Sequence, residues 1–289
     1  MILRPNLFRT LAKFVRPSNI RPSLFQLRFK KFARRRVRLI IGFPGLALSV
    51  SNIKMSKVAA ADLLKEADKL FDDGEYENLL KLLTQQPGWE NDSQLLWRLA
   101  RCKFQLSKQV EDKQKDKREE LVKDAYEKVK RSIELDDKNG LAHKWAGILL
   151  DAVSTLKGTK ERVLQVLNVR NHFEKAVEYA PTDATSFYLL GEWHYSCYQV
   201  SWWERKIASL AFGKLPDADM EVALKMFERA EEVEKDFYSK NKLMLAKTLL
   251  DLKREKERAI ELLKEVVSKY SNSDRWDDKE VSSEKSIIS

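Results

Sequence analysis

The chain has 289 residues, 43% hydrophobic and 34% charged, with only nine Gly and seven Pro. That supplies one or two ordinary domains, and little Gly and Pro beside much Leu, Lys, Glu and Ala points to an all-helical protein. Two cysteines, Cys102 and Cys197, and no secretory signal argue against a disulfide framework.

The net charge of +10 is unevenly held. Residues 1–61 carry fourteen Lys or Arg and no acid, Asp62 being the first. Removing those fourteen from the 54 leaves 40 basic against 44 acidic side chains in 62–289, a net of −4. The basic pI of about 9.3 therefore belongs to the N-terminal segment, and a nucleic-acid-binding body is not expected.

Residues 1–54 are Arg-rich, acid-free and dotted with apolar residues, a composition that fits a mitochondrial targeting leader; a segment without ordered structure is the alternative. The apolar run from Leu39 to Val50 is broken by Gly42, Pro44 and Gly45 and is shorter than the ~20 residues a membrane span needs. Met55 opens a plausible shorter form. A helical repeat domain is expected over 55–270. Helices are predicted over 57–71 and 76–83, with Gly74 as a left-handed cap, and a third through Leu96, Trp97, Ala100 and Phe104. Residues 107–120 read either as a solvated helix extension laced with charge pairs or as a loop. Further helices are expected over 121–135, 141–153, 161–179, 184–198, 220–233, 239–252 and 256–270. Residues 271–289 have too little apolar surface to order themselves.

A repeat emerges from the stretch Val169–Tyr195. Phe173 and Ala176 share a helix face, Pro181 breaks the chain, and Phe187, Leu190 and Gly191 line the next helix. That order matches a tetratricopeptide unit of roughly 34 residues. The small–bulky–small triad recurs as Ala223, Phe227, Ala230 and, weakened, as Ala125, Val129, Ser132. Projecting the frame forward from Ala125 finds Gly147, whereas from Ala223 it finds Leu245, a mismatch. The spacings within hairpins exceed the standard repeat, so extra residues are expected at the turns between the first (A) and second (B) helices. The fold expected is an all-α, tetratricopeptide-like α-solenoid of stacked helical hairpins.

Such stacks bind partners on the face lined by the A helices. Counting in the repeat frame puts Gln94, Trp97, Arg101, Lys144, Asp151, Tyr188, Glu192, Tyr195 and Lys242 there. Arg101, Lys144 and Lys242 would clamp a carboxylate or phosphate; the plainer reading is a solvated groove. The insertion 201–216 (SWWERKIASLAFGKLP) sets Trp202 and Trp203 beside Arg205 and Lys206, either a lip for a membrane or acidic partner, or an extra helix packed on the stack. No GxGxxG, GxxxxGK[ST], HExxH or GxSxG occurs, so no catalytic residue, cofactor or metal is nominated. His194 and Cys197 are read as core, and His143 and His172 as repeat positions.

The segments LLWRLARC (95–102), AHKWAG (142–147), HFEKAVEYAPTDATS (172–186), WWERKIASLAF (202–212) and DFYSKNKLMLAKT (236–248), taken together, resemble the regulator of microtubule dynamics family. The resemblance covers roughly residues 58–268. It implies a non-enzymatic adaptor associating with microtubules and the mitotic spindle and supporting chromosome segregation, with family links to mitochondria and organelle contacts. The partners it implies are tubulin, or a protein ligand in the groove, with contact to phospholipid as the alternative. A microtubule contact requires a local basic patch, for which Arg101, Lys103, Arg205 and Lys206 are the candidates.

Overall fold

The computed structural model describes residues 57–201, 205–206, 208–210 and 217–270. The expected leader, the expected C-terminal tail and Trp202 and Trp203 lie outside the described residues. Among the described residues ten helices run antiparallel in sequence order: α1 (Lys57–Asp72), α2 (Tyr76–Thr84), α3 (Ser93–Gln109), α4 (Lys115–Leu135), α5 (Gly140–Lys157), α6 (Thr159–Tyr179), α7 (Ala184–Tyr198), α8 (Met220–Val233), α9 (Ser239–Asp251) and α10 (Lys256–Tyr270). Contacts are made almost wholly between consecutive helices and between successive A helices, the nearest-neighbour pattern of a stacked array. The fold is a tetratricopeptide-like α-solenoid.

Each A helix from α3 to α7 starts on a short polar side chain. Asp92 accepts from the Gln94 and Leu95 amides, Asn139 from Ala142 and Asp183 from Ser186, and Asp219 does the same for the B helix α8. Eight residues after the residue that precedes it, each A helix from α3 to α9 places a small residue: Ala100, Gly147, Gly191 and Ala246. The B helix of the same hairpin answers with a bulky one. A Cβ built on Gly147 would lie 2.4 Å from the Phe173 ring, and one on Gly191 2.8 Å from the Phe227 ring. Where the small residue is Ala, the B-helix counterpart in sequence order is Val129 or Leu263, both buried. Volume removed on one side of each hairpin is thus restored on the other.

The mismatch at Leu245 has a cause in the turns. The α4–α5 and α6–α7 turns have four residues, whereas the α8–α9 turn has five, with Asp236 in the left-handed region at φ 63°. One extra residue moves the small position to Ala246, fully buried. A fourth triad that the sequence pattern does not flag, Ala259, Leu263, Val266, lies buried in α10. The weak third member of the earliest triad, Ser132, is also buried. Its hydroxyl donates to the Ser93 carbonyl at 2.8 Å, and Asn139 Nδ2 donates to Ser93 Oγ at 2.9 Å, so the buried hydroxyl is satisfied across the hairpin.

The extra residues do gather at the A–B ends, but two of the three hairpins absorb them as added helical turns. α5 and α6 are joined by Gly158 alone, at φ 103°, which an L side chain rarely adopts. The charged stretch 107–120 likewise becomes helix on both sides of a short turn, tied by Arg118 to Asp112 and by Lys115 and Lys123 to Glu119. Only between α7 and α8 is there a separate segment. Its described residues Arg205, Lys206 and Ala208–Leu210 are helical, with Ala208 fully buried in the core and Leu210 83% exposed.

Candidate partner-binding face

The A-helix residues named from the sequence are less available than their spacing suggests. On α3, Trp97 is buried; its indole N–H donates to Gln94 Oε1 at 3.0 Å, and Arg98 and Arg101 stack over it with guanidinium carbons 4.2 and 4.8 Å from the ring centre. Arg101 also pairs with Asp68 and lies 4.0 Å over Phe71. Lys144 pairs with Asp183 at 2.7 Å, spending its charge on the residue that caps α7. Lys242 is not on this face: it is buried and pairs with Asp236 and with Glu265 of α10. The five-residue turn explains the error, since it shifts the frame by one and puts Leu243 where Lys242 was expected. The three cations therefore do not form a clamp, because each is neutralised by the chain's own carboxylates.

The second basic set fares similarly. Lys103 pairs with Asp124 at 2.7 Å. The Arg205 guanidinium donates to the Cys197 and Val200 carbonyls, capping the exposed end of α7. Lys206 is exposed in the insertion.

What the A side does assemble lies around α7. Tyr188, Glu192 and Tyr195 follow at i, i+4, i+7 and share one flank. Tyr188 is buried, edge-on to Tyr238 with ring centres 5.0 Å apart. Tyr195 O–H donates to Asp251 Oδ2 of α9 at 2.9 Å, and Gln199 Nε2 donates to the same oxygen at 2.6 Å. Asp151 of α5 is held by Arg162 through two hydrogen bonds of 2.7 and 2.9 Å. Glu192, between the two tyrosines along α7, is 8% exposed, with no hydrogen-bond partner for Oε2. Burial pushes its carboxyl up to about 8, against the opposing influence of Lys240 and the Tyr188 hydrogen bond. Its sequence signal was a single acid in an otherwise apolar and aromatic run.

A second concavity opens on the B side, a cleft of about 550 Å³ between α4 and α6 lined by Tyr126, Gln165, Asn168, Asn171, His172 and Lys175. Nothing in the repeat frame flags it. Beside it, His143 Nε2 faces the Asp137 carbonyl at 2.9 Å and therefore donates, which leaves Nδ1 to accept from His172 Nδ1–H at 3.0 Å. Burial, then His143 and Lys175, lower His172 to about 4; burial also lowers His143. An unfolded imidazole takes its proton near pH 6.5, whereas folded His172 refuses it until about 4. Stability is thus expected to fall as pH drops through that window. Urea midpoints at pH 7 and 5 check this, and His172→Gln is expected to flatten the difference.

The other histidine and the cysteines are structural. His194 Nδ1 accepts from the Asp219 amide at 3.2 Å, and burial drives both thiols up to about 12. Among the described residues no group of three or more His, Cys, Asp or Glu side chains is placed to hold a metal ion, and no helix is long and apolar enough to cross a membrane.

The family model described as "Regulator of microtubule dynamics protein 1-3" matches residues 63–288. The chain belongs to the regulator of microtubule dynamics family. Its relatives include "Regulator of microtubule dynamics protein 1" of Pongo abelii, 42% identical over 70% of this chain, and that of Mus musculus, 41% identical over 70%. The chain spans 64% and 66% of those two proteins' own lengths. "Regulator of microtubule dynamics protein 3" of Xenopus laevis is 31% identical over 66% of this chain and 41% of its own. Among solved structures, a thermophilic TPR protein of Thermus thermophilus aligns with TM-score 0.49 and 14% identity over 80% of this chain and 98% of its own. The family match takes in α2 to α10, and so includes both the Glu192 flank and the insertion after α7.

Proposed function

We propose that this chain is a non-enzymatic tetratricopeptide-like adaptor that associates with microtubules and the mitotic spindle and supports chromosome segregation. The family match over residues 63–288 carries this reading. Charge favours one place for that contact. Tubulin's acidic surface needs a concentrated cation source, and Arg101 and Lys103 are already paired within the stack. The acid-free segment with its Arg34, Arg35, Arg36 and Arg38 supplies that source instead, leaving the helical array to hold a protein ligand.

Co-sedimentation of the full chain with stabilised microtubules tests this. Pelleting is expected at ~50 mM salt and largely lost by ~200 mM, as screening predicts. Reversing Arg34, Arg35, Arg36 and Arg38 to Glu is expected to abolish it at low salt. Pelleting that ignores both salt and charge reversal would remove the mechanism.

The alternative reading is a mitochondrial adaptor or lipid-contacting module. It is favoured by the targeting-like composition of 1–54 and by Leu210 standing 83% exposed in the insertion 201–216. A reporter fused to residues 1–54 that stays diffuse in the cytosol would end its mitochondrial version.

A further inference from the structure

We propose that the A-helix flank of α7 is a docking site for this chain's own acid-free segment, residues 1–54, with a lysine or arginine of that segment seated on the Glu192 carboxylate. The first support is the orphan oxygen. Glu192 is more than nine-tenths buried, Oε2 has no hydrogen-bond partner, and a buried carboxylate oxygen without a donor is costly. Burial raises its pKa to about 8, so the bare site holds a proton that an arriving cation would displace. A charged N–H donor is the ligand that satisfies such a group best.

The surroundings favour the same chemistry. Asp151, whose charge acts on Glu192, is neutralised by Arg162, while Asp251 of α9 reaches the same helix through the uncharged Tyr195 hydroxyl and Gln199 amide. Tyr195, partly exposed, lies one helical turn beyond Glu192, and tyrosine rings accept the stems and charges of Lys and Arg. Lys240 of α9 acts on Glu192 through its field, and Oε2 remains without a donor.

Among candidate occupants, the chain carries its own. Residues 1–54 hold thirteen Lys or Arg and no acid. They enter the stack at Lys57, the start of α1, itself an A helix. From α1 to α7 is three hairpins, on the order of 30 Å at helix-packing distances, and an extended chain covers that in roughly ten residues. A tether of this length holds the segment near millimolar effective concentration, ahead of any free basic peptide. The docking stands apart from the microtubule reading, but joins to it simply: one basic segment has two acidic surfaces to choose between, one of them its own.

The test uses the full-length protein without microtubules. Tryptic cleavage after Arg34, Arg35, Arg36 and Arg38, timed by mass spectrometry at ~25 mM salt, is expected to be at least about fivefold slower in the wild type than in Glu192→Gln. The gap is expected to close at ~300 mM salt. Zero-length carbodiimide coupling is expected to join Lys13, Lys30 or Lys31 to Glu192 or Asp251 within one monomer. Equal cleavage rates together with no such cross-link overturn the proposal, and cross-links found only in a dimer band overturn it in favour of a second copy. If Glu192→Gln loses helical signal, Asp251→Asn takes its place in the digestion, and the wild-type cross-link stands as an independent readout. A failed sedimentation assay leaves these outcomes untouched.

Discussion

Replacing Phe227 with alanine is expected to lower the unfolding free energy by about 3–5 kcal/mol, the range for deleting a fully buried aromatic ring. Phe227 is fully buried at the centre of the α7–α8 hairpin, its ring centre 6.0 Å from that of Tyr188 and its edge against the bare Cα of Gly191. No small motion refills that space, because the stack fixes the helix on either side. A domain of this kind has roughly 5–15 kcal/mol in hand, so the variant should be well on its way to unfolding at 37 °C. Gly191→Ala in the wild type fails for the opposite reason. Its methyl would meet the ring at 2.8 Å, and overpacking of that kind costs about 1–3 kcal/mol. Combining the two puts the methyl into the vacated volume, so the double variant is expected to be more stable than the two single losses sum to. Urea unfolding followed by helical circular dichroism measures all three. A Phe227→Ala loss below about 1 kcal/mol, or strict additivity with Gly191→Ala, would show that the small–bulky pairing does not hold the hairpin together.

Replacing Asp68 with alanine is the second large effect. Asp68 Oδ1 and Oδ2 accept from Arg98 Nε and Nη2 at 2.9 and 2.8 Å, and Arg101 reaches the same carboxylate. Arg98 and Arg101 side chains are only 8% and 11% exposed, so alanine at 68 would strand two nearly buried cations side by side. Breaking a fully buried pair costs about 3–5 kcal/mol, but Asp68 itself is 42% exposed and water screens part of it. A loss of about 2–3 kcal/mol is expected, larger than for any exposed pair such as Lys69–Asp73. The same cluster sets an acid limit. Partial burial tends to raise the Asp68 pKa, yet the Arg98 and Arg101 hydrogen bonds and charges outweigh it and hold the carboxyl below its usual 3.8. A depressed carboxyl contributes its full stability above that usual value and loses it as pH falls toward the folded one. The wild type should therefore lose stability below about pH 4 faster than Asp68→Ala does. Parallel acid titrations of the two would sink the assignment.

Much of this molecule is legible in order. The spacing of apolar residues places α7, α8 and α10 at Ala184–Tyr198, Met220–Val233 and Lys256–Tyr270, as the structure has them, because each carries a stripe of apolar residues at helical spacing that the stack buries. The family segments and the Phe–Gly pairs are likewise local or periodic signals. The errors are of another kind. Leu245 breaks the frame because one additional turn residue, Asp236, moves every later position by one, and a turn that takes a left-handed residue other than glycine has no strong signature.

By itself, the sequence determined the hairpin order, the recurring small and bulky positions, and the segregation of net positive charge into the first 61 residues. Only the tertiary structure decided which charges remain to meet a partner. Arg98 finds Asp68 thirty residues away, and Lys144 finds Asp183 across thirty-nine. Helical periodicity reports which face of a helix is apolar, since burial is shared along a whole stripe. It carries nothing about which carboxylate a neighbouring hairpin brings within 3 Å, because an ion pair depends on two side chains meeting at one point. That is why Arg101, Lys144 and Lys242 read as an open clamp and fold as closed pairs, while Glu192 becomes the carboxyl with an oxygen left over.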